Sequence, residues 1–252
     1  MTDSLQDKAV VVTGAGSGIG RATARAFASA GAQVLAVGRT KERLVETAGD
    51  DPRITPYAAD ITEEPDAVVD AAVGAYGHID IIVNNAAIIG GGALGEHDRV
   101  QVERIFQTNL FAPVFLTQAA LPHLSDGGTI VNLSTAIMHG LRAWPGASIY
   151  GASKVALEFL TRTWAVELAP RRVRVVGIAP GIIATPVLVN NGVPAEQRAA
   201  MRAAAEEFTP LGRIGQPEEI AWWILNACRD EASFATGFVL AVDGGVAVSK
   251  GP

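Results

Sequence analysis

Val10-Val11-Val12-Thr13-Gly14-Ala15-Gly16-Ser17-Gly18-Ile19-Gly20 carries a β-branched run straight into a glycine turn, and an alanine-rich helical pattern follows at 21–30. Glycine lets a backbone turn sharply and approach a ligand with no Cβ in the way. The start of the following helix then offers unpaired N–H groups and the positive end of its dipole to a pyrophosphate. A lone glycine pattern would suit any tight strand-to-helix turn. With a strand before it, a helix after it and a place at the start of a βαβ unit, it reads as a dinucleotide-binding turn formed by Gly14, Ser17, Gly18, Ile19 and Gly20. No Gly-Lys-Ser/Thr follows, so a mononucleotide phosphate loop is excluded.

Working outward, short apolar runs alternate with helical patterns along the whole chain. Strands are expected at 9–13, 33–37, 54–58, 79–84, 129–133, 173–178 and 238–242. Helices are expected at 18–30, 41–47, 63–75, 99–121, 148–168, 194–207 and 217–227. Several of the strands are almost wholly apolar, as when helices cover both faces of a parallel sheet. The fold class is therefore α/β: a doubly wound, Rossmann-type parallel sheet of about seven strands. No composition break divides the chain, so a single domain is expected over 1–252. The proline-flanked stretch around 186–213 is the candidate substrate lid.

The chain has 252 residues, 49% of them hydrophobic and 18% charged, which suffices for a large core. A net charge of -6 argues against general nucleic-acid binding, which needs a basic footprint. No apolar run approaches the ~20 residues that span a bilayer, and the N-terminus has no signal-peptide pattern. One cysteine, Cys228, and four unpaired histidines give neither a disulfide framework nor a metal site. A soluble cytoplasmic protein is expected, with no metal, membrane or nucleic-acid partner.

The end of the second strand reads Val37-Gly38-Arg39-Thr40. An acid there would accept from a ribose 2′-OH and repel a 2′-phosphate, whereas a guanidinium can grip that phosphate. With no acid present, Arg39 favours NADP(H), and NAD(H) is the alternative. Asp60-Ile61 could hold adenine, although Asp60 also suits a helix cap. Asn84-Asn85-Ala86-Ala87 suits a chain passing close beneath a ribose, which places Asn85 and Ala86 at the cofactor. Tyr150 and Lys154 lie four apart on one predicted helix, so they share a face. A free phenol has a pKa of about 10, and a neighbouring ammonium would lower it, making an acid–base of the tyrosine.

Taken in order, the glycine turn, Asp60, Asn84–Ala87, Asn109, Ser134/Thr135, Tyr150/Lys154, Pro180-Gly181 with Thr185, and Val242-Asp243-Gly244-Gly245 resemble the short-chain dehydrogenase/reductase family over almost the whole chain. The resemblance implies roles. Tyr150 would give its proton to a carbonyl oxygen or take one from an alcohol. Lys154 would hold the nicotinamide ribose and lower the tyrosine pKa, and Asn109 would support a water feeding protons to the lysine. Pro180, Gly181, Ile183 and Thr185 would line the nicotinamide side, and hydride would come from the cofactor.

The sequence departs from the family pattern in places. The family places a serine after the fifth strand to bond the substrate oxygen, and here that stretch reads Leu133-Ser134-Thr135-Ala136. Strand register puts the catalytic hydroxyl on Thr135, with Ser134 as the close alternative. Counting back from Tyr150 by the family's usual separation instead reaches Ile137, which has no hydroxyl, so an insertion in 136–148 is implied. Ala87 stands where the family has glycine. The extra loop residues would bring Met138, His139, Leu141 and Trp144 near the pocket mouth.

The expected function is NADP(H)-dependent hydride transfer between nicotinamide and a ketone or secondary alcohol, as in a carbonyl reductase or alcohol dehydrogenase. A 3-oxoacyl-acyl-carrier-protein reductase is the alternative, with Arg171, Arg172 and Arg174 as a candidate docking patch. An NADPH-binding regulator is the non-enzyme alternative. Apolar residues on the two long helices, such as Phe111, Phe115 and Phe159, together with the family's usual assembly, suggest a homotetramer.

Overall fold

The computed structural model describes residues 5–141, 143–190 and 193–249. Strands β1 (Ala9–Thr13), β2 (Gln33–Gly38), β3 (Ile54–Ala58), β4 (Ile79–Asn84), β5 (Leu124–Leu133), β6 (Arg174–Pro180) and β7 (Val239–Val242) form one parallel sheet in the order β3-β2-β1-β4-β5-β6-β7. The order reverses between β1 and β4, and a ligand crevice belongs at the carboxyl ends of strands beside such a switch point. The helices are α1 (Gly18–Ser29), α2 (Lys41–Ala48), α3 (Pro65–Tyr76), α4 (Arg99–Phe106), α5 (Ala112–Ala120), α6 (Ser148–Glu167), α7 (Val187–Asn190), α8 (Ala195–Phe208) and α9 (Pro217–Cys228).

Two cores lie on the two faces of the sheet. Val10, Val12, Val34 and Ala36 pack with Phe27 of α1 and Ile224 of α9. Their strand neighbours Val11, Leu35 and Val37 pack on the other face with Val68 of α3 and Leu116 of α5. Successive residues point to opposite faces, so a strand covered on both sides must be apolar throughout. That is why β1, β4 and β6 are buried at every position. A polar ladder crosses the second core. Asn84 Nδ2 donates to Asn132 Oδ1 at 2.9 Å, and Asn132 Nδ2 donates to Thr161 Oγ1 of α6 at 2.9 Å.

The helix expected at 99–121 is interrupted. A π-helical turn, Gln107–Phe111, separates α4 from α5. Pro113 supplies the reason: it has no N–H, and in an α-helix its ring would strike the carbonyl of Asn109, four residues back. Strand β5 also starts earlier than its apolar run, because Leu124 pairs with Ile79 before a register shift between Ile79 and Ile81. Pro56 is accommodated in β3 because that strand is an edge of the sheet.

Candidate active site

A cavity of about 1110 Å³ runs across the carboxyl ends of the strands, from the tip of β2 to α8. Single ligand pockets span about 300–1,000 Å³, so this one has room for a dinucleotide and a small second molecule.

The glycine turn forms its floor. Gly14 and Gly18 have φ of 66° and 51°, which favours glycine. A Cβ on Gly20 would lie 2.3 Å from the Gly14 carbonyl oxygen and 2.5 Å from Asn85 Nδ2. Thr13 fixes the turn to the end of β4: its Oγ1 accepts from the N–H groups of Asn85 and Ala86, both at 3.0 Å, while Asn85 Nδ2 donates to Thr13 O at 2.7 Å. Ser17 at the start of α1 makes no side-chain cap, and the first turn holds no acid. The N–H groups there are left for a ligand anion. Ser17 and Ile19 line the cavity with the glycines.

At the adenosine end, Gly38, Arg39, Asp60, Ile61, Asn85 and Ala86 line the cavity. Arg39 is exposed, and no side-chain bond or ion pair is found for it among the described residues. Arg43 lines the same cavity, four residues further on in the first turn of α2. Arg43 was not among the residues expected at the cofactor, although its place in the first turn of the helix that follows Arg39 was a usable signal. Asp60 does not cap α3, whose cap position is Glu64; its Oδ1 accepts from Thr62 N at 3.0 Å and Thr62 Oγ1 at 2.8 Å.

At the other end, Tyr150, Lys154, Thr135, Ser134, Pro180, Gly181, Ile183 and Thr185 all reach the cavity. Thr185 lies against the glycine turn, since a Cβ on Gly18 would come 3.0 Å from its Cγ2. The Asp243 carboxylate accepts from Gly245 N at 2.8 Å and Ala247 N at 2.6 Å, and the backbone of this turn abuts Gly181. The closing motif is therefore a structural turn that seats the segment after β6.

The two candidate hydroxyls diverge. Ser134 continues the strand alternation of Ile130 and Asn132 toward α6, and its Oγ donates to Glu158 Oε1 at 2.6 Å. Thr135 lines the cavity with Tyr150, and its hydroxyl is near enough to the phenol to oppose the rise in its pKa. Asn109 is fully buried: its Oδ1 accepts from Ile88 N at 2.9 Å, and its Nδ2 donates to Ile88 O at 3.0 Å and Ser153 Oγ at 3.1 Å. Its side chain thus ties the cavity wall to α6 and does not touch Lys154.

Ionisation in the ligand-free chain departs from expectation. Burial pushes Tyr150 up to about 12, partly offset by the Thr135 hydroxyl, and Lys154 contributes no lowering. Burial brings Lys154 down to about 8. Desolvation disfavours the charged form of each group. Lys154 Nζ donates to Leu133 O at 2.8 Å, and no other partner is found for this 2% exposed ammonium among the described residues. A buried ammonium has three donors to satisfy. Together with the uncapped helix start and the glycine cradle, this fits a cofactor bearing both pyrophosphate and sugar hydroxyls.

The profile described as Enoyl-(Acyl carrier protein) reductase matches residues 14–247. The 3-oxoacyl-acyl-carrier-protein reductase of Thermotoga maritima is 37% identical, over 97% of this chain and 99% of that protein. The chain belongs to the short-chain dehydrogenase/reductase family. This short-chain dehydrogenase/reductase is also 36% identical to 3beta-hydroxysteroid dehydrogenase 1 of Eggerthella lenta, over 100% of this chain and 98% of that one. Among solved structures, a 3-ketoacyl-(acyl-carrier-protein) reductase from Brucella melitensis complexed with NADH superposes with a TM-score of 0.86 at 31% identity, covering 97% and 100% of the two chains. The protein is accordingly an oxidoreductase that uses a nicotinamide cofactor and acts on a small molecule. No helix among the described residues is long and apolar enough to cross a membrane.

Two of the three arginines suggested as a docking patch are tied into the fold, and Arg172 is exposed. Arg171 donates to Asp126 at 3.1 Å and to the carbonyls of Leu121 and Leu124, and Arg174 donates to Ala227 O at 2.7 Å. Both sit at the amino end of β6, about 20 Å along the strand from the cavity. Met138 is not at the mouth either: it is buried, and its Sδ lies 2.8 Å from where a Cβ on Gly151 would be. Trp144 lines the cavity and meets Phe208 of α8 edge-on at 5.2 Å. Of the loop residues named from sequence, the side chains of His139 and Leu141 lie outside the described set.

Proposed function

We propose that this enzyme is an NADP(H)-dependent carbonyl reductase and secondary-alcohol dehydrogenase. The observation that carries the reading is the gathering of Thr135, Tyr150 and buried Lys154 at one end of the cavity, with the tyrosine and lysine one helical turn apart. Tyr150 and Thr135 would both donate to a carbonyl oxygen, and the tyrosine proton would pass to that oxygen in reduction and return in oxidation. Burial keeps the phenol protonated at neutral pH, which suits a proton donor. Lys154, at about 8, is poised to exchange protons near neutrality and to hold sugar hydroxyls through its remaining donors. The bound nicotinamide supplies or accepts the hydride.

Arg39 and Arg43, with no acid at 37–40, support NADP(H) over NAD(H) through charge-assisted bonds to a 2′-phosphate. Asn109 would position the wall beside the lysine and support a proton-carrying water. The segment at 186–213, containing α7 and α8, would act as the lid over the substrate. Trp144, Phe208, Ile137 and Leu188 give that end an apolar lining, which favours a ketone or alcohol with a hydrocarbon body. A thioester of an acyl carrier protein is the second reading, favoured by the Thermotoga maritima relative's name; of the three patch arginines, Arg171 and Arg174 are tied into the fold and Arg172 is exposed.

Phe111, Phe115 and Phe159 remain exposed on α6 and the helix preceding it, which supports a homotetramer. A cytoplasmic location accords with a single, buried cysteine. The test is a panel of cyclic and aryl ketones, their alcohols and a 3-oxoacyl thioester, each assayed with NADPH and NADH in parallel. Ketone turnover preferring NADPH is expected. Turnover of the thioester alone, or NADH preferred throughout, would overturn the reading, and light scattering that gives a monomer would remove the tetramer.

A further inference from the structure

Three successive residues at the end of β5 are each tied to α6 at positions one helical turn apart. Thr135 lies beside Tyr150, Leu133 O accepts from Lys154 Nζ at 2.8 Å, and Ser134 Oγ donates to Glu158 Oε1 at 2.6 Å. The first two contacts involve groups already assigned to the chemistry. The third does not, and it joins a buried serine to a carboxylate only 5% exposed. Arg162 Nη2, half-exposed, approaches the other carboxylate oxygen at 3.6 Å, so the negative charge is partly compensated from the solvent side.

We propose that Glu158 is a positioning residue for the reaction: by holding Ser134 on the α6 side of the strand end, it presents Thr135 to the Tyr150 phenol. The argument is geometric. Strand alternation sends residues 130, 132 and 134 toward α6, and the preceding rung, Asn132 to Thr161, is already fixed at 2.9 Å. The Ser134–Glu158 bond is the last rung before the chain leaves the strand, so it sets the rotation of the next residue. Ser134 N stays bonded to Ile178 O at 2.8 Å, so without the rung it is the Ser134 hydroxyl that is released from α6 and can compete with Thr135 at the phenol. A charged acceptor makes this rung stronger than a neutral one would be. Glu158 acts through Ser134 and Thr135 and touches neither substrate nor cofactor.

This inference rests on the role proposed for Tyr150 and Thr135, and its test separates the two. Turnover and NADPH binding are measured for Glu158→Leu, Glu158→Gln, Thr135→Val and the double variant Thr135→Val/Glu158→Leu. Glu158→Leu is expected to lower kcat about tenfold while the NADPH Kd changes less than about twofold, since the bond that holds Ser134 is lost away from the cofactor's residues. Glu158→Gln, whose amide oxygen can still accept from Ser134, is expected to stay within about threefold of wild type. In the Thr135→Val background, adding Glu158→Leu is expected to cost no more than about twofold, because the hydroxyl it positions is gone. The same tenfold loss in both backgrounds, a parallel loss of NADPH affinity, or a glutamine variant as impaired as the leucine one would overturn the proposal. If Glu158→Leu does not fold, Ser134→Ala breaks the same rung and takes its place in the cycle. A Thr135→Val enzyme as active as wild type would instead count against the catalytic reading itself.

Discussion

Lys154 Nζ donates to the carbonyl oxygen of Leu133, the last residue of β5, at 2.8 Å. That bond anchors a buried ammonium to the sheet and leaves its other two donors for a ligand. Burial dominates both groups, bringing the lysine to about 8 and the tyrosine to about 12.

The first expectation concerns pH. The kcat/KM for the cofactor reports the free enzyme and should fall as pH rises through about 8, where Lys154 loses its proton. A profile flat to pH 10 would contradict this.

A second concerns stability. Between about 8 and the ordinary lysine value, the unfolded chain keeps a proton that the native chain has shed, so wild-type stability contains a term that rises with pH there. Lys154→Met has no such term. It should be more stable than wild type at pH 7 by about 1–2 kcal/mol, while losing nearly all turnover. The stability gap should narrow between pH 8 and 10, read by thermal unfolding at both ends of that window.

The two adjacent hydroxyls should separate. Thr135→Val removes a donor from the reacting oxygen and should lower kcat about 10- to 100-fold with little change in stability. Ser134→Ala leaves the Glu158 carboxylate short of a buried partner and should lower stability by about 1–3 kcal/mol, with a kcat loss of about tenfold at most, through the misplaced Thr135. Comparing kcat with the unfolding midpoint for each variant checks the division.

Cofactor choice should reside in Arg39 and Arg43. Replacing both by alanine should reduce kcat/KM for NADPH about 10- to 100-fold and leave NADH within about threefold, as charge-assisted bonds to one phosphate are removed. Equal losses for both cofactors would assign the pair to general folding or charge.

The sheet was legible in the sequence because strands buried on both faces must be continuous apolar runs, as at Val10–Val12 and Ile81–Val83. The glycine turn was legible because only glycine fits at Gly20, pressed against Gly14 and Asn85. The break at Asn109 was hidden: periodicity runs through it, and only the missing N–H of Pro113 marks it. Strand alternation announced that Ser134 and Thr135 would diverge. Which of them meets the phenol depended on Glu158, a residue 24 positions away whose burial no local pattern reveals. The Tyr150 pKa rises where the spacing to Lys154 led to the expectation of a fall, because spacing gives proximity but not desolvation.

The most direct test is turnover of Tyr150→Phe with NADPH and the best ketone of the panel, alongside its NADPH affinity. Phenylalanine keeps the ring and removes only the proton. A loss of about 10²–10⁴-fold in kcat with cofactor binding intact is the predicted result. Turnover within about threefold of wild type would contradict the account.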